Sequence, residues 1–402
     1  MKTARHHLTA EQAAETLGIT PATLYAYVSR GQLRSEPIPG RPKGRRYYRE
    51  DLERLLERKE ARRDPAKAAA RGLHWGGPVL ESGITLIHDG RFYYRGRDAV
   101  ALAETATLEQ AAGLLWAADE TERERLFEQT CALPARQLKP LRTCAKDPFT
   151  LLQAALPIAA RMDLASYDLR PAAVRQSGAR IMRLLTTTIA PRHAKAPVHR
   201  ALQRAWAPKT DAVADVIRTA LVLCADHELN VSSFVARCAA SAGASPYDVV
   251  SAAVATLKGY KHGGASERVL TLFAEAETPA RARALVASRL RRGEAVPGFG
   301  HPLYPAGDPR AALLLRLAES SENEAPWRAV RNLARAGSEL LQEHPNLDFG
   351  LAAVTRTYRL PEQAPVLLFA LGRTVGWIAH AIEEYARGQL IRPRARYTGP
   401  VP

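Results

Sequence analysis

Long stretches of this chain use alanine, leucine and arginine, and runs of β-branched residues are few. Small and straight-chain residues lose little side-chain freedom in a helix, whereas β-branched ones favour a pleated strand. The fold class expected is therefore mainly α. At 402 residues the chain is too long for one small core, so two or three folding units are expected.

Four cysteines, Cys131, Cys144, Cys224 and Cys238, form no Cys-x-x-Cys pair and no metal-ligand spacing. A reducing cytoplasm is the expected setting, with neither disulfides nor a bound metal. No apolar stretch of signal-peptide type opens the chain and no run reads as long enough to span a bilayer, so no membrane contact is expected. Charge is uneven. Residues 1–71 hold 16 Lys/Arg against 9 Asp/Glu, a net of +7 within the whole chain's +16. So dense a basic start favours contact with a polyanion.

The pattern of those first residues is specific. Thr9-Ala10-Glu11-Gln12 has the form of a capping box, with Ala13, Ala14 and Leu17 as a short apolar face and Gly18 as a left-handed stop. Thr20-Pro21 restarts a helix with Thr20 as N-cap and Pro21 at its first position. Leu24 and Val28 face inward and Gly31 ends it. Two short helices with a tight turn are a helix-turn-helix, whose second helix would present Thr23, Tyr25, Ser29 and Arg30 to a major groove. The basic run holding Arg41, Lys43, Arg45 and Arg46 then reads as a hairpin wing along the phosphate backbone. Glu50 and Asp51 would open a last helix that buries Leu52, Leu55 and Leu56. The segment resembles the DNA-binding domain of the MerR and excisionase families, and the resemblance implies double-stranded DNA as a partner. Arg62-Arg63-Asp64-Pro65 and the alanines after it read as a linker, and no heptad-bearing dimerisation helix follows.

Three strings farther on carry chemistry: Lys261-His262-Gly263-Gly264-Ala265, Gly298-Phe299-Gly300-His301 and Asn346-Leu347-Asp348-Phe349. One carboxylate and two imidazoles are the groups needed to take a proton from beside one carbonyl and to protonate a second. The glycines beside each histidine would let backbone approach a ligand closely and adopt positive φ. Lys261, beside His262, would favour a neutral imidazole if it faced the ring. His74, His88, His193 and His380 are set aside as structural or solvated.

The order of these strings resembles the citrate synthase family. So do Tyr94-Arg95-Gly96-Arg97-Asp98, Thr107-Leu108-Glu109-Gln110 with Leu114-Leu115-Trp116, the stretch Ala225–Phe234, Gly376-Trp377-Ile378-Ala379-His380 and Arg392-Pro393-Arg394. The resemblance runs from about Gly72 nearly to the C-terminus. It implies an acyltransferase condensing acetyl-CoA, or a relative such as propionyl-CoA, with oxaloacetate. No tightly bound cofactor is implied, the CoA thioester being a substrate. By resemblance Asp348 is the base, His262 hydrogen-bonds the thioester oxygen, and His301 binds and protonates the acceptor ketone. Arg310, Arg373 and Arg392 would hold the acid's carboxylates, the last reaching into a partner subunit, so a homodimer is implied. His227 and Asn230 would hold its other oxygens, Ser232 would orient His262, and Phe369 would wall the pocket.

Three positions depart from that pattern: Pro302–Gly307 where basic residues are common, Ser266 in place of asparagine, and Gly350-Leu351-Ala352 after Asp348-Phe349. They are expected to alter the pocket walls and so the acyl or acceptor preference. The expected architecture is a winged helix-turn-helix domain over 1–65 and a linker over 66–71. A two-domain body follows, its large domain 72–263 with 359–402 and its small domain 264–358. A regulator using this body as a tricarboxylate or acyl-CoA sensor is the alternative reading.

Overall fold

The computed structural model describes residues 7–38, 44–48, 51–52, 55, 80–128, 133, 135–395 and 397–400. The chain divides into two compact units, 1–81 and 82–402.

Among the described residues the first unit has two short helices and a three-stranded antiparallel sheet, and Asp51, Leu52 and Leu55 are helical as well. Strand β1 (His7–Thr9) leads into α1 (Ala10–Leu17), then α2 (Pro21–Ser29), β2 (Ser35–Pro37) and β3 (Arg45–Tyr48). β3 is central, pairing His7 with Tyr48 on one side and Ser35 with Tyr47 on the other. The expected capping box forms in both directions between Thr9 and Gln12, and Gly18 takes the left-handed cap. Thr20 caps α2 through Thr23 N–H. Ala13, Leu17, Leu24, Leu33, Tyr47 and Leu52 make the core of this unit. Asp51 is held in a two-pronged pair by Arg34, at 2.9 and 3.0 Å, and also accepts Arg34 N–H. Its charge is therefore matched by a side chain, beyond the helix-dipole role read from sequence. The expectations for Arg41, Lys43, Glu50, Leu56, Cys131, His74 and the 62–71 linker lie outside the described residues.

The second unit starts with a small antiparallel sheet, β4 (Thr85–His88), β5 (Arg91–Tyr94) and β6 (Arg97–Asp98). The Tyr94–Asp98 string forms the end of β5, a turn and β6. Sixteen α-helices follow among the described residues. α3 (Ala99–Thr105) and α4 (Leu108–Leu115) come first, the latter opened by a second capping box from Thr107 to Gln110. α5 (Glu120–Arg125), α6 (Ala135–Cys144) and α7 (Pro148–Met162) lead to α8 (Pro171–Ile189). Then come α9 (Val198–Trp206), α10 (Val213–Cys224), α11 (Val231–Ser241) and α12 (Pro246–Leu257). The helices α13 (Ala265–Glu275), α14 (Pro279–Arg291), α15 (Pro309–Glu319), α16 (Glu324–Leu341) and α17 (Leu347–Thr357) pack largely on one another. The last, α18 (Ala364–Arg387), is the axle of the body.

α18 corrects one expectation. It is long and apolar enough to cross a membrane by length and composition, with a mean hydropathy of 1.4, yet 94% of that window is buried inside the protein. Its apolar residues are covered by α4, α8, α10, α11 and α12, which makes it a core helix. Close approach is built in at Gly376, where a Cβ would stand 2.4 Å from Asp226 Oδ1 and 2.5 Å from Ala225 O. Cys144, Cys224 and Cys238 are free thiols.

Candidate active site

His227 ends the buried segment after α10, and the chain turns sharply at Glu228, whose φ is +54°. That turn brings Asn230 round to cap α11, its Oδ1 accepting Ser233 N–H at 3.1 Å and the Ser232 hydroxyl at 2.8 Å. Asn230 Nδ2 is buried and has no hydrogen-bond partner among the described residues. A donor left in that state favours a polar ligand atom arriving from outside the chain.

Ser232 is fully buried and meets His262 Nε2 at 2.9 Å, while Trp377 Nε1 donates to it at 3.2 Å. The hydroxyl has one proton for two candidate acceptors. When it goes to Asn230, His262 Nε2 is the donor and Nδ1 an acceptor. When it goes to His262, the imidazole carries its proton on Nδ1 and can donate to a third group. Burial, then the Arg373 charge, pushes His262 down to about 4, so the ring is neutral at pH 7. Lys261 does not do this. It is exposed, with its ammonium 5.7 Å from the exposed Tyr260 ring.

His301 and Asp348 are brought together by backbone. Gly300 N–H donates to His344 O and Asn346 N–H to Gly298 O, both at 2.9 Å, as Phe299 and Pro345 form a β-bridge. Asn346 then caps α17 through Asp348 N–H while its Nδ2 holds Gly300 O at 3.1 Å. Gly298 and Gly300 take φ of +90° and +73°, as expected. Gly263 and Gly264 do not. Gly264 has φ −72°, and Gly263 is needed instead because a Cβ would meet Leu257 O at 2.7 Å.

His301 Nδ1 accepts Leu303 N–H at 3.2 Å, which leaves the proton of the neutral ring on Nε2. Burial first, then Arg310, lowers this histidine to about 4. Its ring lies 5.2 Å from that of His227 and 5.0 Å from that of Tyr304. The Tyr304 hydroxyl is 2.8 Å from His227 Nε2. Burial, with Arg310, Arg373 and His301 around it, keeps His227 neutral as well. Beside His301 opens a cleft of about 410 Å³, lined also by Pro302, Tyr304 and His344.

Asp348 accepts the Ser266 hydroxyl at 2.5 Å. Burial raises its carboxyl to about 6, against the lowering influence of Ser266 and Arg310. Arg310 is 3% exposed and forks onto Asp308 at 2.8 and 2.9 Å, and Asp308 also accepts Leu347 N–H, which ties this arginine to the start of α17. Arg373 is 1% exposed, donates through Nε to Cys224 O at 2.7 Å, and stands 4.7 Å over the Phe369 ring. No carboxylate pairs with it among the described residues. Phe369 packs edge-on to His262 at 5.6 Å.

The structure thus gathers His227, Asn230, Ser232, His262, His301, Arg310, Asp348, Phe369 and Arg373. It does not bring Arg392 to them within one chain; that residue is exposed in the tail beyond α18. Gly350 packs closely on α15, where a Cβ would stand 3.0 Å from the Leu314 side chain. Sequence reasoning missed Phe92, whose ring is 6.0 Å from His227 and 5.9 Å from the Arg310 guanidinium. It also missed Tyr304 and the role of Asp308. A tyrosine three residues after a candidate histidine was the available signal for Tyr304; Phe92 offers none.

In the N-terminal unit Tyr25, Ser29 and Arg30 are exposed on or at the end of α2, and Thr23 is half-buried beside its cap. Of the wing residues, Arg45 is exposed and Arg46 half-buried, and both engage neighbours across the sheet. Arg45 donates to Ser35 Oγ at 2.8 Å, and Arg46 pairs with Glu36 at 2.9 Å, which also accepts the Tyr48 hydroxyl.

A family profile described as "Citrate synthase, C-terminal domain" matches residues 72–394, and one described as "Helix-turn-helix domain" matches 8–60. "Citrate synthase 2" of Bacillus subtilis is 28% identical over 365 residues, 83% of this chain and 96% of that protein. "Citrate/2-methylcitrate synthase" of the same organism is 29% identical over 333 residues, 76% of this chain and 90% of that protein. The solved citrate synthase of Thermoplasma acidophilum, in ternary complex with carboxymethyl coenzyme A and oxaloacetate, aligns with a TM-score of 0.70 at 25% identity, covering 83% of this chain and 97% of that one.

Proposed function

The chain belongs to the citrate synthase family and carries a helix-turn-helix domain at its N-terminus, and on that premise we propose that its body condenses a short acyl-CoA with oxaloacetate. Acetyl-CoA gives citrate and propionyl-CoA gives methylcitrate. The observation that carries this reading is the joining of one ionisable carboxyl and two neutral imidazoles beside two buried arginines. Asp348 removes a proton from the carbon beside the thioester. The electron pair of that C–H bond passes into the enolate, whose oxygen receives a hydrogen bond from His262 in its Nδ1–H form. The enolate carbon attacks the ketone carbon of oxaloacetate, and the alkoxide takes the Nε2 proton of His301. Water then cleaves the thioester and CoA leaves.

Arg310 and Arg373 hold the acid's carboxylates, with Arg392 supplied by a second subunit of a cytoplasmic homodimer. His227 and Asn230 Nδ2 meet its remaining oxygens. Closure of residues 264–358 on the large domain expels water before the enolate forms. The two relatives' names support acetyl and propionyl as the acyl groups to try. The test is CoA release by the full-length protein with oxaloacetate and each thioester. Turnover lost by orders of magnitude in Asp348→Ala, with the fold kept, is the expected result; unchanged turnover removes Asp348 from the reaction.

A second reading is favoured by a separate observation. The N-terminal unit has its own core and displays Tyr25, Ser29 and Arg30 on its second helix. That surface suits double-stranded DNA, and a regulator would use the body as a ligand sensor. A folded protein that binds oxaloacetate or citrate yet releases no CoA would favour it.

A further inference from the structure

Around Asp348 one hydroxyl comes from an element with no stated part in the reaction. Ser266 lies in the first turn of α13, in the same loop-to-helix segment as His262, and is 1% exposed. Its Oγ donates to Asp348 Oδ1 at 2.5 Å, and among the described residues it is the only hydrogen-bond donor to that carboxyl group. Asp348 sits in the first turn of α17, whose cap Asn346 also holds the loop of His301. The Ser266 hydroxyl therefore joins the segment that carries one histidine to the helix that carries the base.

Other charges act on Asp348 from a distance. Arg310 on α15 and Arg268 on α13 favour the carboxylate, Asp308 at the cap of α15 disfavours it, and burial disfavours it most. Neither arginine is within hydrogen-bonding reach of the group, so the hydroxyl is the near contact that can both orient the carboxylate and stabilise its charge.

We propose that Ser266 is a positioning residue for the condensation, fixing Oδ1 of Asp348 so that Oδ2 takes the proton, and keeping the half-buried carboxyl ionised. The inference rests on the reading of Asp348 as the base. In the step concerned the thioester's α C–H bond breaks, an O–H bond forms at Oδ2, and the electron pair enters the enolate. Ser266 keeps its own proton and donates throughout. An alanine there would leave Asp348 held by packing alone, free to turn either oxygen to the substrate and more costly to ionise.

The experiment uses the full-length protein as wild type, Ser266→Ala and Ser266→Thr. Two readouts are taken: the pH dependence of kcat/KM for CoA release, and an isotope-edited infrared titration of carboxyl groups without substrate, with Asp348→Asn identifying the band. Loss of one charge-assisted hydrogen bond raises the Asp348 midpoint by about one to two pH units, moving the acid limb equally and lowering kcat/KM at pH 7 about two- to tenfold. Ser266→Thr, which keeps the hydroxyl, stays near wild type in both. An infrared midpoint unmoved in Ser266→Ala overturns the proposal whether or not turnover is seen. A moved midpoint with no turnover in any variant upholds the control of Asp348 by Ser266 and rejects the condensation reading instead.

Discussion

At the residue scale, one cause drives the carboxyl and the imidazoles apart. Burial disfavours charge, so Asp348 rises to about 6 while His262 and His301 fall to about 4. At pH 7 the base is ionised and both rings are neutral donors. kcat/KM for condensation is therefore expected to fall on the acid side with one ionisation near pH 6. An acid limb near 4 would show that burial does not govern Asp348 in solution. The same shift has a thermodynamic sign. A carboxyl raised above its unfolded value binds its proton more tightly in the folded state. That contribution to stability is present below about pH 4 and lost as pH rises through 6. Asp348→Asn, which escapes the cost of ionising, is expected to be more stable than wild type at pH 8 by up to about 3 kcal/mol, with the gap closing below pH 4. Urea midpoints at the two pH values check it, and equal midpoints at pH 8 would contradict it.

At the element scale, the short bridge between the His301 loop and the start of α17 decides whether the base and the acid face each other. Gly298 is its tightest point: its φ is +90°, and a Cβ would stand 2.7 Å from Val269 Cγ2 and 3.2 Å from the Phe349 side chain. Gly298→Ala is expected to lose about 1–3 kcal/mol of stability and to lower kcat more than it raises KM. Denaturant unfolding and steady-state kinetics measure both, and full activity would show that the bridge does not position His301. Elements like this differ in how openly the sequence announces them. The capping box at Thr9 and the stop at Gly18 were legible because each is a local contract between residues a few positions apart. The glycines by His262 misled, since a Gly-Gly string marks either unusual φ or tight packing, and only the fold distinguishes them. The contacts of Ser266 with Asp348 and of Tyr304 with His227 span 82 and 77 residues. Such pairs are set by helix packing that no local pattern records, which is also why Phe92 went unseen.

At the scale of the whole molecule, two units with separate cores are joined in one chain. Each should keep its fold when the other is removed. Deleting residues 1–65 is accordingly expected to leave CoA release within about twofold of the full chain and to abolish any retardation of duplex DNA; a deletion that silenced turnover would mean the units depend on one another. The axle helix has a further consequence, for the order in which the protein is made. α18 is the last of the described helices to leave the ribosome, yet the apolar faces of α4, α8, α10, α11 and α12 are shaped to receive it. A nascent chain stopped before Ala364 carries those faces bare, so the body closes only once this helix has emerged. Until then it exposes apolar surface of the kind that chaperones bind.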